Sequence, residues 1–288
     1  MLGNCGLCPR HCRVDRLEGE LGQCHTGPAA MVSSCGPHFG EESPLVGTGG
    51  SGTIFFTYCN LHCVFCQNYS ISQLGEGSEV TALELAQMML SLQRRGCHNI
   101  NLVSPTHVVP QILEALEAAV ARGLTLPLVY NCGGYESLDT LRLLEGVVDI
   151  YMPDMKYADS AVGRRYSAVD NYAEFNRAAV KEMHRQVGDL QTDDQGIAVR
   201  GLLVRHLVLP HGLAGTEKTA AFLAHEISRH TYVNIMAQYH PCHLAYEFPE
   251  LSRGITRQEY LEAVTLAVRH GLTRLDQMEY PRTARVML

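Results

Sequence analysis

From residue 53 onward the chain alternates short apolar runs with amphipathic stretches, and that alternation restricts the fold more than any other feature. The runs at 53–58, 100–104, 126–132, 147–152, 202–209 and 232–238 are largely apolar and rich in β-branched or aromatic residues. Strands covered on both faces have this character. Helical periodicity follows each of them, at 81–94, 110–122, 137–144, 172–187, 217–228 and 257–269. The first helix opens at Thr81 with Glu84 three residues on, a capping box, and repeats apolar residues at Leu83, Leu85, Ala86, Met89 and Leu90. Repeated strand-helix-strand connections imply a parallel sheet covered by helices. Six such units fall short of the eight that close a barrel of about 250 residues. The expected fold is therefore α/β, a partial (β/α)6 barrel of the TIM type.

Composition is compatible with one such domain. A chain of 288 residues suits a single large core. With 46% apolar and 18% charged residues it reads as globular. The net charge of −7, with no basic stripe, argues against a nucleic-acid partner. No run of eighteen apolar residues is present, so no membrane span is expected. Eleven cysteines in a chain that starts MLGNCGLCPRHC, unlike a signal peptide, read as reduced thiols or metal ligands in a cytoplasmic protein.

Three of those cysteines, Cys59, Cys63 and Cys66, stand C-x3-C-x2-C directly after the first strand. A cubane [4Fe–4S] cluster normally takes four thiolates, so a compact set of three leaves one iron open. Phe65 precedes the last of them. The triad in this form resembles the signature of the radical S-adenosylmethionine (SAM) superfamily, and the chain is similar from about Gly47 to Gly271 to homologues of pyruvate formate-lyase-activating enzyme. The resemblance implies that SAM chelates the open iron and that an electron from the cluster cleaves its sulfonium to a 5′-deoxyadenosyl radical. It implies the partial barrel already expected, a flavodoxin or ferredoxin-type electron donor, and hydrogen abstraction from a substrate. That substrate would be a glycine in a glycyl-radical enzyme, a small molecule or another protein. A non-catalytic iron–sulfur electron-transfer protein is the alternative of a different class.

Active sites of such barrels lie where strands give way to loops, and polar residues mark those points here. Ser104-Pro105-Thr106-His107 stands where the family has a Gly-Gly-Glu run holding the SAM amino group, so the hydroxyls of Ser104 and Thr106 are the expected replacements. Asn131, in Tyr130-Asn131-Cys132-Gly133-Gly134-Tyr135, resembles the activases' Asp-Thr-Asn-Gly-Phe stretch. Met152-Pro153-Asp154-Met155-Lys156 is similar to their Met-Leu-Asp-Leu-Lys. Asp154 and Lys156, two apart after a strand, share a face. Arg205 opens an R-x-x-x-x-P element whose guanidinium fork suits a carboxylate or phosphate. Phe65, Ser104, Thr106, Asn131, Met152, Asp154, Lys156 and Arg205 are thus the expected cofactor contacts. His206, His211, His240 and Cys242 are further polar residues near strand ends, and residues 157–176, with Arg164, Arg165, Tyr166 and Tyr172, read as a lid loop.

A second cysteine set opens the chain. Cys5, Cys8, Cys12 and Cys24, spaced C-x2-C-x3-C-x11-C among turns at Gly6, Pro9 and Gly22, suit a second iron–sulfur cluster, a structural Zn²⁺, or thiols without metal. The expected organisation is a cysteine-rich segment at 1–46, the barrel at 47–280 and a tail at 281–288.

Overall fold

The first strand of the structure, β1 (Ala30–His38), lies in the stretch the sequence presents as a cysteine-rich segment. Its apolar residues Ala30 and Val32 are buried and it pairs antiparallel with β2 (Ser51–Phe56), after the single-turn helix α1 (Ser43–Val46). The computed structural model describes residues 1–276, so the expected tail at 281–288 and the barrel residues 277–280 lie outside the described residues. Helix α2 (Tyr69–Ser72) and strand β3 (Ser78–Val80) then lead into the repeating units. These run α3 (Ala82–Arg94), β4 (Ile100–Val103), α4 (Val109–Val120), β5 (Leu128–Cys132), α5 (Leu138–Leu143) and β6 (Ile150–Pro153). Next come α6 (Ser160–Ser167), α7 (Tyr172–Val187), β7 (Gln191–Thr192), β8 (Ala198–Leu207) and α8 (Thr216–Phe222). Strand β9 (Tyr232–Met236), α9 (Arg257–Arg269) and β10 (Arg274–Leu275) complete the described chain.

Six strands, β2, β4, β5, β6, β8 and β9, pair in parallel in that order. They are the six expected strands, and the fold is the expected partial barrel. The sheet is extended by β10 at one edge and by antiparallel β1 and β3 at the other.

Alternation along the strands sorts side chains to the two faces. Ile54, Phe56, Ile100 and Leu102 pack with α3 and α4, while Tyr151, Leu202, Val204 and Val233 pack with α7 to α9. Their neighbours in sequence face the concave side, where Leu45 of α1 joins Val129, Ile150, Met152 and Leu203 in a core of its own. That core is the barrel floor, tied by Asn99, whose amide donates to the Leu45 carbonyl at 2.9 Å. Above it the same alternation places Asn131, Asp154, Arg205 and Asn234 at the mouth.

Candidate active site

Immediately beyond β2 the backbone turns through a left-handed Tyr58 (φ 70°) into the loop that carries Cys59, Cys63 and Cys66. Main-chain bonds hold it from both sides: His62 N–H donates to Ser167 O (3.2 Å), Val64 N–H to Tyr166 O (2.9 Å), and Tyr58 N–H to Ile71 O (3.1 Å). The thiols are individually supported. Cys63 Sγ lies 2.9 Å from Ser167 Oγ, Cys66 Sγ lies 3.1 Å from Ser72 Oγ, and Leu61 N–H donates to Cys59 Sγ at 3.4 Å. Burial, and then the neighbouring Cys63, push the Cys59 thiol up to about 12. The Cys63 thiol is also raised by burial, against the pull of the Lys156 ammonium. Thiols in this state are deprotonated by the metal that binds them.

Phe65 is buried and meets Tyr157 and Tyr239 edge-on, at centroid distances of 6.3 and 5.7 Å. It braces the loop from behind.

Facing the loop is a buried charge network. Arg205 Nε donates to Asp154 Oδ1 (2.8 Å) and its Nη2 to Asn131 Oδ1 (2.7 Å), while Lys156 Nζ donates to the other Asp154 oxygen at 2.6 Å. Burial works to raise the Asp154 carboxyl, but Arg205 and Lys156 outweigh it and hold it below its ordinary value. Lys156 is held above its ordinary value: burial opposes its charge, and Asp154 and Cys63 overcome that. The structure thus brings Asn131, Asp154, Lys156 and Arg205 together. It adds Glu41 and Glu42, which approach Arg205 at 3.9 and 4.0 Å, and Asn234, whose amide donates to Glu42 at 2.9 Å.

Several buried polar atoms here have no partner among the described residues: Glu42 Oε2, Asn234 Oδ1 and both amide atoms of Asn101. Orphaned buried polar atoms of this kind, three acceptors and the Asn101 amide donor, carry a desolvation cost that a ligand's polar groups would relieve.

The remaining predicted residues fall elsewhere. Met152 is fully buried in the floor core. The Thr106 hydroxyl donates to buried Glu136 at 2.8 Å, as does Tyr130 at 3.1 Å, and Ser104 sits half-buried in a left-handed turn (φ 57°). His206 faces outward, bonded to Met155 O and Thr216. His211, exposed, donates its backbone N–H to the Glu259 carboxylate at 2.7 Å. Cys242 donates to Phe65 O at 3.3 Å, and His240 lies 3.2 Å from Gln67 on the cysteine loop. Residues 157–176 form helix α6 and the start of α7 rather than a lid loop, and α6 delivers Tyr166 and Ser167 to the cysteine loop. Glu41, Glu42, Glu136, Ser72 and Ser167 escaped the sequence reading. Ser72 meets Cys66 six residues away, while the other four act through partners far along the chain, and no local pattern marks such residues.

The model of the radical SAM superfamily matches residues 53–190, which hold the cysteine loop, Asn131, Asp154 and Lys156. An uncharacterized protein of Methanocaldococcus jannaschii, MJ0674, is 33% identical over 279 residues, covering 93% of this chain and 75% of its own. The chain belongs to the radical SAM superfamily.

Solved radical SAM folds agree with the barrel. Native anSMEcpe with bound AdoMet superposes with a TM-score of 0.52 at 8% identity, over 76% of this chain and 61% of its own. The [FeFe]-hydrogenase maturase HydG gives 0.51 at 11%, over 75% and 47%. Streptococcus suis SuiB bound to precursor peptide SuiA gives 0.51 at 10%, over 76% and 46%. The chain thus spans less than two thirds of each of these three structures.

As a radical SAM enzyme, it uses a [4Fe–4S] cluster and SAM as cofactors. Among the described residues no three His, Cys, Asp or Glu side chains converge to hold one ion. A cubane does not require that, since each thiolate binds a different iron. The donor set fits: three soft thiols in one loop, a cation beside two of them, and orphaned acceptors in the barrel below. Among the described residues no helix is long and apolar enough to cross a membrane.

Proposed function

We propose that Cys59, Cys63 and Cys66 hold the cluster, that Asn131, Asp154, Lys156 and Arg205 hold the amino-acid part of SAM, and that the hydrogen atom is taken from a glycine of a glycyl-radical enzyme. One observation carries this reading: Lys156 is bonded to Asp154 at 2.6 Å and is at the same time the electrostatic neighbour of both Cys59 and Cys63. The thiolate loop and the charge network therefore form one mouth.

When bound, the cluster and SAM supply a one-electron cleavage of the sulfonium, with the electron coming from a flavodoxin or ferredoxin-type donor. The protein's own work is positional. Asp154 accepts from a cation on one side and is fixed by the Arg205 fork on the other, so its oxygens are oriented before a ligand arrives. Lys156 offsets thiolate charge. Phe65, Tyr157 and Tyr239 keep water from the back of the loop.

A protein substrate is favoured by what borders the mouth. Tyr69, Leu74, Leu244 and Tyr246 are exposed, on segments tied to the loop through Ser72 on one side and Cys242 on the other. Tyr69 stacks on His243 with ring centroids 4.8 Å apart, which brings the two exposed segments together, and an exposed apolar patch marks a protein contact. The resemblance of residues 130–135 and 152–156 to the activases supports glycine as the target.

Anaerobic reconstitution, dithionite reduction and EPR with and without SAM test the chemistry. The expected result is a SAM-shifted signal with 5′-deoxyadenosine formed, both lost in Cys63→Ala. A cluster indifferent to SAM would leave an electron-transfer protein. The target is tested with extract from cells grown on Cα-deuterated glycine. Deuterium entering 5′-deoxyadenosine from the protein fraction supports the reading, and deuterium from the small-molecule fraction alone overturns it.

A further inference from the structure

The four N-terminal cysteines line a single cavity. Its wall is Cys5, Cys8, Cys12 and Cys24, closed on the barrel side by Asn60 and His107. Local structure builds it. Cys5 N–H donates to Val14 O and Arg13 N–H to Cys5 O, both at 2.9 Å, so the chain doubles back between Cys5 and Val14. Gln23 N–H reaches Cys12 Sγ at 3.5 Å. A Cβ at position 22 would stand 2.9 Å from that sulfur, so only Gly22 lets the strand of chain pass there.

Two features of this cavity have no use in the protein alone. His107 is 2% exposed; its Nε2 sits 2.8 Å from the Thr57 carbonyl and so carries the proton, which leaves Nδ1 as a lone pair with no partner among the described residues. Arg16 is 1% exposed and Arg10 has a buried Nη2 without an acceptor, yet the guanidinium bonds of both go to backbone carbonyls and neither meets a carboxylate among the described residues. Buried cations without a counter-charge are costly. Four thiolates around a metal centre supply that counter-charge.

We infer that Cys5, Cys8, Cys12 and Cys24 bind a second iron–sulfur cluster, with Arg10, Arg16 and His107 around it. Zinc would take the same thiolates at about 2.3 Å each, and iron and sulfide analysis separates the two. A cubane spreads its four thiolates over four irons. The two centres are close neighbours in the fold: Arg10 Nε donates to Asn60 O at 2.9 Å, beside Cys59, and Arg10 Nη1 donates to Ala168 O at 2.6 Å, beside the Ser167 that supports Cys63.

Iron and sulfide analysis after anaerobic reconstitution of the full chain tests the site apart from activity. Wild type is expected to hold about eight irons, and the Cys59→Ala/Cys63→Ala/Cys66→Ala variant about four, in a cluster whose EPR signal ignores SAM. Cys8→Ala/Cys12→Ala should keep the SAM-shifted signal and lose the other. Arg10→Gln should leave the iron count unchanged and lower the midpoint potential of the SAM-insensitive signal, because the reduced cluster is the more negative form and loses a neighbouring positive charge. A wild-type count near four, or a triple variant that takes up zinc and no iron, would overturn the assignment. A wild type with two clusters, neither responding to SAM, would refute the catalytic reading instead and leave this one standing.

Discussion

Folding changes the chemistry of Glu136, which lies outside the cysteine loop. It is fully buried, and burial pushes its carboxyl up to about 7 against the hydrogen bonds from Thr106, Tyr130 and Cys132. An unfolded glutamate titrates near 4.5. Between those values the folded state keeps a proton that the unfolded chain has released, so stability falls as pH rises from about 4.5 to 7 and stays lower above it. By pH 8 the loss is on the order of 3 kcal/mol. Urea unfolding from pH 5 to 8 should show this slope in wild type, and Glu136→Gln should flatten it; an unchanged slope in the variant would exclude Glu136 as its source. The same residue explains a limit of sequence reading. Asp154 and Lys156 were legible because they stand just past an apolar strand, and Arg205 because it is a charged residue near the end of one, opening an R-x-x-x-x-P element. Glu136 draws its meaning from Thr106, thirty positions away in the chain, and reads locally as an ordinary polar residue after a turn.

At the scale of elements, α6 links the barrel wall to the cysteine loop. A Cβ on Gly163 would stand 2.8 Å from Tyr172 Cβ, so α6 packs on α7 at a distance only glycine allows. Tyr172 is pinned in turn by its hydroxyl to the carbonyls of Gly133 and Asp154, at 2.8 and 3.0 Å, and cannot retreat. Gly163→Ala should therefore displace α6, cost about 1–3 kcal/mol in urea unfolding, and lower iron incorporation at Cys59, Cys63 and Cys66 by moving Ser167 and Tyr166. Normal iron loading in a destabilised variant would separate α6 from the loop. The elements themselves were unevenly legible. The periodic helices at 172–187 and 257–269 lie where the sequence puts them, because amphipathic spacing and the Thr256–Glu259 capping box are local signals. Helix α6 was missed because SAVGRRYS is short and its apolar face is only Val162 and Tyr166. Strand β1 was missed because Gly36 and Pro37 break its run, and an antiparallel edge position tolerates both.

The molecule as a whole is a strip of sheet rolled part-way round, with its parallel strands at the centre and short strands at both rims. Amides of β4, β5 and β6, flanked on each side by parallel neighbours, should exchange with solvent last, and those of β3 and β10, three and two residues long, first. Hydrogen-exchange mass spectrometry reads this order directly, and uniform protection across the sheet would contradict it. The N-terminal cysteine pocket is fastened to this strip at positions made much later in the chain: Leu7 O accepts from Thr140, Arg16 reaches His107, and Arg10 spans to Ala168. On a ribosome the pocket's thiols therefore emerge first and cannot be seated until residue 168 has left the exit tunnel. At 5–20 residues per second that is an interval of roughly ten to thirty seconds. For that interval the four thiols stand open to oxygen and to stray metals, so the yield of intact protein depends on the anaerobicity of its synthesis and not only of its assay.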